Sequence, residues 1–458
     1  MFDTNILLDT DSYKFSHYEQ YPPNTTEVFA YLEARKGAKY NQTVFFGLKY
    51  ILLELEKRIT MEMVEQAKEI ATAHGLPFNY EGWKYIAVNL KGKLPLEIRA
   101  PEEGTLIPID NVLLTVKNTD PKCYWLTSYI ETFIMRIWYP ITVATQSWYI
   151  KQIIKNFINE TSDVPEQINF KLHDFGSRGV NTREGAAIGG TAHLVNFMGT
   201  DTVAAIMFAR EFYGEPMAGF SIPAGEHSSY IAWGKENEDK AYENMLDKFA
   251  KPNALLAVVS DSYDLENAIK NIWGKKLKQK VIASGATVVI RPDSGNPVEV
   301  ALQACQWLEE CYGATYNTKG YKVLNNMRVI YGDGINEETI RGILNNLKTH
   351  GYAVDNIAFG MGGALLQMVN RDTQRFAYKA SEVVVDGKPR DVAKTPKTDP
   401  TKTSKAGKVD LVYLNGKYLT VKGEKNFGTV LKTVFLNGDI APEAKNITLA
   451  KVRENANR

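Results

Sequence analysis

The sequence predicts an α/β fold: an irregular β/α barrel with an additional antiparallel β-rich domain built from the N- and C-terminal segments. Three observations predict it. In the middle of the chain, apolar runs repeatedly stop at a charged or glycine-rich loop and a helix-starting signal follows. That grammar belongs to parallel strand–helix units, arranged either as an open doubly wound sheet or as a closed barrel. The loops after the runs carry Asp174, His227, Asp261, Arg291, Asp293, Asp333 and Gly360, Gly362 and Gly363, and polar residues collected at strand ends are what a barrel active site requires. From Ser381 onward, short β-prone runs are joined at Asp386–Gly387, Asn415–Gly416 and Asn437–Gly438, dipeptides suited to tight hairpins.

At 458 residues the chain is too long for one small core. The expected division is 1–145 as the N-terminal part of the β-rich and helical domain, 146–370 as the β/α barrel, and 371–458 as a C-terminal β-rich segment packing with the N-terminal part. A formal net charge of +1 gives no global attraction to nucleic acid or anionic membrane. Cys123, Cys305 and Cys311 form neither a zinc spacing nor a disulfide framework, which suits a reducing compartment. The opening "MFDTNILLDTDSYK" lacks the basic and apolar regions of a signal peptide. The expected location is therefore cytoplasmic.

Taken in order, the elements begin with the most apolar stretch, residues 124–145. It contains Glu131 and Arg136 and carries a proline near its end, so it is expected as a buried helix rather than a membrane span. The repeats follow as "INFKLHDFGSRG", "GFSIPAGEHSSYIAWGK", "ALLAVVSDSYDLENAIKNIWG", "ATVVIRPDSGNPVEVALQACQWLEE", "MRVIYGDGINEETIRGILNNL" and "NIAFGMGGALLQMV". In the fourth, Val288–Ile290 reads as a strand buried on both faces. Asn296 caps the next helix, Pro297 suits its first position and Glu299 completes a capping-box pattern. Val298, Ala301, Leu302, Cys305 and Leu308 then recur at helical spacing. Residues 388–408, rich in lysine, proline and threonine, are expected as an exposed loop that either is merely solvated or meets phosphate.

The strand-end residues suggest chemistry. Three glycines between an apolar strand and a helix in "FGMGGALLQ" offer backbone N–H groups to an anion. Arg291 adds a fixed cation for phosphoryl oxygens. Asp261, Asp293 and Asp333 suit Mg²⁺ or sugar hydroxyls, and Phe175 can stack on a flat ring or simply pack in the core. A glycosidase has little use for the arginine and glycines. A zinc hydrolase is disfavoured because His173, His193 and His227 stand singly. The set fits a barrel that binds a sugar polyphosphate with magnesium.

The motifs "HDFGSRG", "HLVNFMGTDT", "SIPAGEHS", "VVSDSYD", "IRPDSGNP", "YGDG" and "IAFGMGG", in this order, resemble the nicotinamide phosphoribosyltransferase family. "NILLDTDSYKFSHYEQYPPNT", "DPTKTSKAGK" and "LKTVFLNG" extend the resemblance over nearly the whole chain. It implies that nicotinamide attacks the anomeric carbon of 5-phosphoribosyl 1-pyrophosphate, giving nicotinamide mononucleotide and pyrophosphate in NAD salvage. It further implies Mg²⁺ as cofactor, ATP as a coupling substrate, and a homodimer with shared active sites, without nucleic-acid or membrane partners.

By the same resemblance, Phe175 stacks on one face of the pyridine and Tyr13 of the partner subunit covers the other. Asp201 accepts the carboxamide N–H and repels nicotinate. Arg291 serves the ring and ribose phosphate, and Arg178 the diphosphate. Asp293 serves ribose and Mg²⁺, directly or through the pyrophosphate. Gly332, Asp333, Gly362 and Gly363 hold ribose and its 5-phosphate, and Arg371, Lys379, Lys394 and Lys402 reach phosphates. His227 accepts a phosphoryl group from ATP, oriented by Asp261 and Glu226. Ser177, Ala257 and Ala377 depart from residues found in vertebrate relatives, which bears on affinity for the base. The alternatives are a nicotinate phosphoribosyltransferase, against which Asp201 speaks, and a non-catalytic signalling protein on the same scaffold.

Overall fold

Six parallel strands make the sheet that positions the candidate site. The computed structural model describes residues 5–393, 404–423 and 428–458. It divides into two units, Gln146–Arg210 with Pro216–Val369, and Met1–Thr145 with Glu211–Glu215 and Asn370–Arg458. The first contains β1 (Leu172–Asp174), β2 (Gly199–Thr200), β3 (Leu255–Val259), β4 (Thr287–Arg291), β5 (Met327–Tyr331) and β6 (Ile357–Met361). Their order is β2-β1-β6-β5-β4-β3, and every neighbouring pair is parallel. Val288, Val289 and Ile290 are all buried, as expected of a strand covered on both faces.

The outer edges of this sheet, β2 and β3, are both paired by one short segment. Phe220 bridges Gly199 on β2 and Ala224 bridges Ala257 on β3, both in parallel sense. Phe220 N–H donates to Met198 O at 2.7 Å and Ala257 N–H donates to Pro223 O at 2.9 Å. Pro223 lacks an N–H but its carbonyl can still accept, so a proline is tolerated at this edge. The sheet thus curls into an irregular barrel closed through residues 220–224, immediately before His227.

Helix starts follow local chemistry. The helix Pro297–Tyr312 begins with Asn296 accepting from Val298 N–H, and Ala301, Leu302, Cys305 and Leu308 are buried along it. Glu299 does not close the expected capping box. That motif forms instead at Glu337–Thr349, where Asn336 and Thr339 cap each other.

The other unit holds a seven-stranded antiparallel sheet. Its order is Lys388–Asp391, Phe376–Val385, Thr25–Ala34, Val112–Asn118, Leu96–Ala100, Lys432–Leu436 and Asp439–Ile440. N-terminal strands lie at its centre and C-terminal strands at both flanks. The three expected hairpin dipeptides all have positive φ at both residues, the geometry of a type I′ turn.

Two expectations are corrected here. Residues 124–145 are not one helix but Leu126–Tyr129, Glu131–Met135 and the start of Trp138–Thr161, because Pro140 fits only the first turn of the last helix. Part of the lysine-rich stretch is structured: Lys388–Asp391 pairs with the preceding strand, Lys405 binds Glu33, and Lys408 lies 2.8 Å from Glu27. Among the described residues, no helix is long and apolar enough to cross a membrane.

Candidate active site

The site is built at the C-terminal ends of the barrel strands. Phe175 follows β1 directly, and its N–H donates to Met361 O at 2.9 Å. Its ring rests on Ala257, Val289 and Ile330 from β3, β4 and β5, with Ile222 and Ala358 beside it. A Cβ at Gly360 would sit 1.9 Å from this ring, so only glycine lets the phenyl lie across β6. The ring is half-buried, leaving part of it open to a ligand. Ala257, buried in this patch, supplies a methyl to the floor.

His227 opens the short helix that follows the closing segment. Its Nε2 lies 2.9 Å from Asp261 Oδ1. The other Asp261 oxygen accepts Asp293 N–H at 2.9 Å and the Ser294 hydroxyl at 2.5 Å. Burial pushes the Asp261 carboxyl upward, but hydrogen bonds from Ser294, His227 and the Asp293 N–H outweigh it and hold the group below its ordinary value. A carboxylate on one imidazole nitrogen fixes the tautomer and leaves the other nitrogen for chemistry. Glu226, expected to share this work, accepts from the Ser228 hydroxyl.

Phe175, Arg178, Gly179, Arg291, Asp293, Gly332, Asp333, Gly362 and Gly363 line one cleft of about 240 Å³. Arg291 Nη2 lies 3.6 Å from Asp293 Oδ2, while its Nε is buried without a hydrogen-bond partner. Burial raises the Asp293 carboxyl, Arg291 and His227 oppose the rise, and Asp261 and Asp333 add to it. A cleft with this crowding of acids favours an incoming cation, and its two arginines favour phosphoryl oxygens. The helix after the glycines is a single turn, Gly363–Leu366, so it contributes little dipole to that cleft.

Asp201 follows β2 as Phe175 follows β1, and Asp174 and Thr200 are in register on those adjacent strands. Asp201 is exposed and its Oδ1 accepts the Ser221 hydroxyl at 2.6 Å. The two other histidines weighed from the sequence, His193 and His173, hydrogen-bond within this unit. His193 is buried, 3.0 Å from the Ser147 hydroxyl and stacked on Phe197. His173 Nε2 lies 3.0 Å from Phe170 O.

Tyr13, Arg371 and Lys379 belong to the other unit. Tyr13 is 55% exposed and meets His17 edge-on. Arg371 lies 3.2 Å from Asp372, and Lys379 is exposed on Phe376–Val385, two residues after the buried Ala377. Ser177 begins an exposed single turn that includes Arg178. Lys394 and Lys402 lie outside the described residues. Sequence reasoning missed Ser221 and Ser294 as partners of site acids, and Gly360 as the clearance for Phe175. Only the Ser294–Gly295 pair and the spaced glycines at 360, 362 and 363 offered a hint, while Ser221, between Phe220 and Ile222, offered none.

Residues 170–439 match the nicotinate phosphoribosyltransferase (NAPRTase) family, and residues 5–98 match the N-terminal domain of nicotinamide phosphoribosyltransferase. A nicotinamide phosphoribosyltransferase of Xanthomonas campestris is 52% identical, with 99% of this chain and 98% of that protein covered. One from Acinetobacter baylyi is 32% identical, over 99% and 97%. The fold is that of the nicotinate-nucleotide pyrophosphorylase from Pyrococcus furiosus, with a TM-score of 0.64 at 17% identity, covering 100% and 96%. Identity of this extent over both full lengths settles the assignment: the chain belongs to the nicotinate phosphoribosyltransferase family and, within it, to the nicotinamide phosphoribosyltransferases.

Proposed function

We propose that this chain transfers the phosphoribosyl group of 5-phosphoribosyl 1-pyrophosphate to the ring nitrogen of nicotinamide, releasing pyrophosphate, in NAD salvage. The observation that carries the reading is that Phe175 and Asp201 each follow directly on the Asp174–Thr200 register pair, at the ends of adjacent parallel strands. Phe175 gives the pyridine a flat surface, and Asp201 gives the carboxamide N–H an acceptor. Nicotinate offers that acid a second negative charge and no hydrogen, so it is disfavoured.

Arg178 and Arg291 bind the diphosphate and 5-phosphate, and Asp333 with Gly332, Gly362 and Gly363 bind ribose and its phosphate. Arg371, Lys379, Lys394 and Lys402 supply further cations, and Tyr13 of the partner subunit covers the second face of the base in a homodimer. The C–O bond to pyrophosphate breaks as the C–N bond forms, through an oxocarbenium-like centre. Catalysis therefore rests on positioning and electrostatics. Among the described residues no cluster of three or more acids, histidines or cysteines is set to hold a metal by itself. A single half-buried carboxylate, Asp293, beside phosphate-binding groups suits Mg²⁺, which characteristically combines one or two carboxylates with substrate phosphates. Bound there, the ion would offset the charge of the leaving pyrophosphate.

His227 takes the γ-phosphoryl group of ATP on an imidazole nitrogen, with ADP leaving, and later loses it to water. Asp261 stabilises the charged ring through both steps. The test assays nicotinamide and nicotinate in parallel, with and without ATP. Nicotinamide is expected to be favoured and its turnover stimulated by ATP, and Asp201→Asn is expected to narrow the preference by about tenfold. A preference for nicotinate, or an unchanged ratio in the variant, overturns the reading.

A further inference from the structure

Asp174, the last residue of β1, is wholly buried. Its Oδ1 accepts Gly176 N–H at 2.7 Å, and its carbonyl accepts Asp201 N–H at 2.9 Å. One residue thus grips the turn after Phe175 on one side and the backbone of Asp201 on the other. Its second oxygen, Oδ2, makes no well-formed hydrogen bond, and neither does the buried Thr202 hydroxyl. A Cβ at Gly190 would approach that oxygen to 3.0 Å, so the helix Arg183–Leu194 packs directly over it. Burial pushes the carboxyl up to about 6, opposed by the Gly176 N–H and the Thr202 hydroxyl and aided by Asp201.

A buried acid whose second oxygen has only the Thr202 hydroxyl near it, without a well-formed hydrogen bond, is a net cost to the fold, and an apolar β-former would suit the end of a barrel strand better. Positions where local rules fail in this way are where function is to be sought. The cost falls at the junction of the two residues proposed to read the base.

We propose that Asp174 is a specificity-determining positioning residue, whose side chain and carbonyl together fix Phe175 and Asp201 relative to each other so that ring and carboxamide are read as one unit. This rests on the base-reading roles proposed above. It differs from them in that Asp174 touches no substrate. Its carboxylate oxygen shapes the turn through Gly176 N–H, and the strand register carries that placement to Asp201.

The test uses the full-length enzyme with Asp174→Val and Asp174→Asn. Valine is close in size and suited to a strand, but cannot accept the Gly176 N–H. Asparagine retains an oxygen in the same place. Asp174→Val is expected to melt within a few degrees of wild type and to raise the nicotinamide KM about tenfold, the loss of one hydrogen bond's placement. The KM for 5-phosphoribosyl 1-pyrophosphate should stay within about twofold, since a purely structural lesion would move both together. Asp174→Asn should bring the nicotinamide KM back to within about threefold of wild type. The proposal is overturned if both KM values rise together, if neither moves, if asparagine rescues no better than valine, or if the valine variant fails to fold. The last result would make Asp174 a requirement of the barrel rather than of the site. Wild-type activity on nicotinamide is measured in the same series, so failure of the base-reading roles shows separately from failure of this residue's role.

Discussion

Asp261 gathers three donors: His227 Nε2 on one oxygen, and the Asp293 N–H and Ser294 hydroxyl on the other. A change of charge on the imidazole is therefore felt one hydrogen bond away by the loop that carries Asp293. In the proposed phosphoryl step, this contact would link ATP to phosphoribosyl transfer. His227→Ala is expected to abolish stimulation by ATP and lower ATP-driven turnover by at least ~10-fold, while nicotinamide dissociation, read by calorimetry, stays within about twofold. Retained stimulation would remove His227 from the phosphoryl step. At this scale the sequence was partly legible. The strand-end position marked Asp261 as a candidate acid, while its link to His227 came from the family resemblance; the two lie 2.9 Å apart. For Glu226, the chain neighbour of His227, adjacency in sequence does not by itself make two side chains face each other. Here Glu226 turns to Ser228.

Among the elements, β6 shows how a strand can be shaped by the side chain that crosses it. Phe175 occupies the space a side chain at Gly360 would take, and the ring rests on residues of β3, β4 and β5. Gly360→Ala must push the phenyl off this floor. The expected result is a nicotinamide KM raised by about tenfold or more with a melting temperature lowered by only a few degrees, because the ring is half-exposed and can swing outward. A KM unchanged from wild type would show that the ring's position is immaterial. Elements with strong local chemistry were readable from sequence: β4, the Asn296-capped helix and the three positive-φ hairpins all occur where their residues demand them. Gly199–Thr200, a strand of two residues, has no period to read. In residues 124–145 Pro140 marks the start of the last helix, but nothing in the largely apolar run marks the break at Ile130.

For the whole molecule, the sheet built from both chain ends was legible because turn residues mark its hairpins. The closure of the barrel by residues 220–224 was not, because its hydrogen bonds are made by backbone groups around a proline. Nor did the sequence announce Lys171, the residue just before β1. It is buried, and its ammonium donates to Val354 O and Ile357 O, both at 2.8 Å. Burial lowers its pKa from 10.5 to about 7, with Asp355 opposing the fall and Arg328 adding to it. In the unfolded chain this lysine keeps its proton up to pH ~10.4, so between about pH 7 and 10.4 the unfolded state binds the extra proton. Stability then rises with pH through that window and is flat in this group below it. Replacing Lys171 by Met removes the term. The unfolding free energy of wild type relative to Lys171→Met, from denaturant titrations, should increase by roughly 3–5 kcal/mol between pH 7 and 10.4. It should stay constant between pH 5 and 6. A difference independent of pH would mean that Lys171 keeps its ordinary pKa in the fold, with its ammonium fully compensated by the two carbonyls and Asp355.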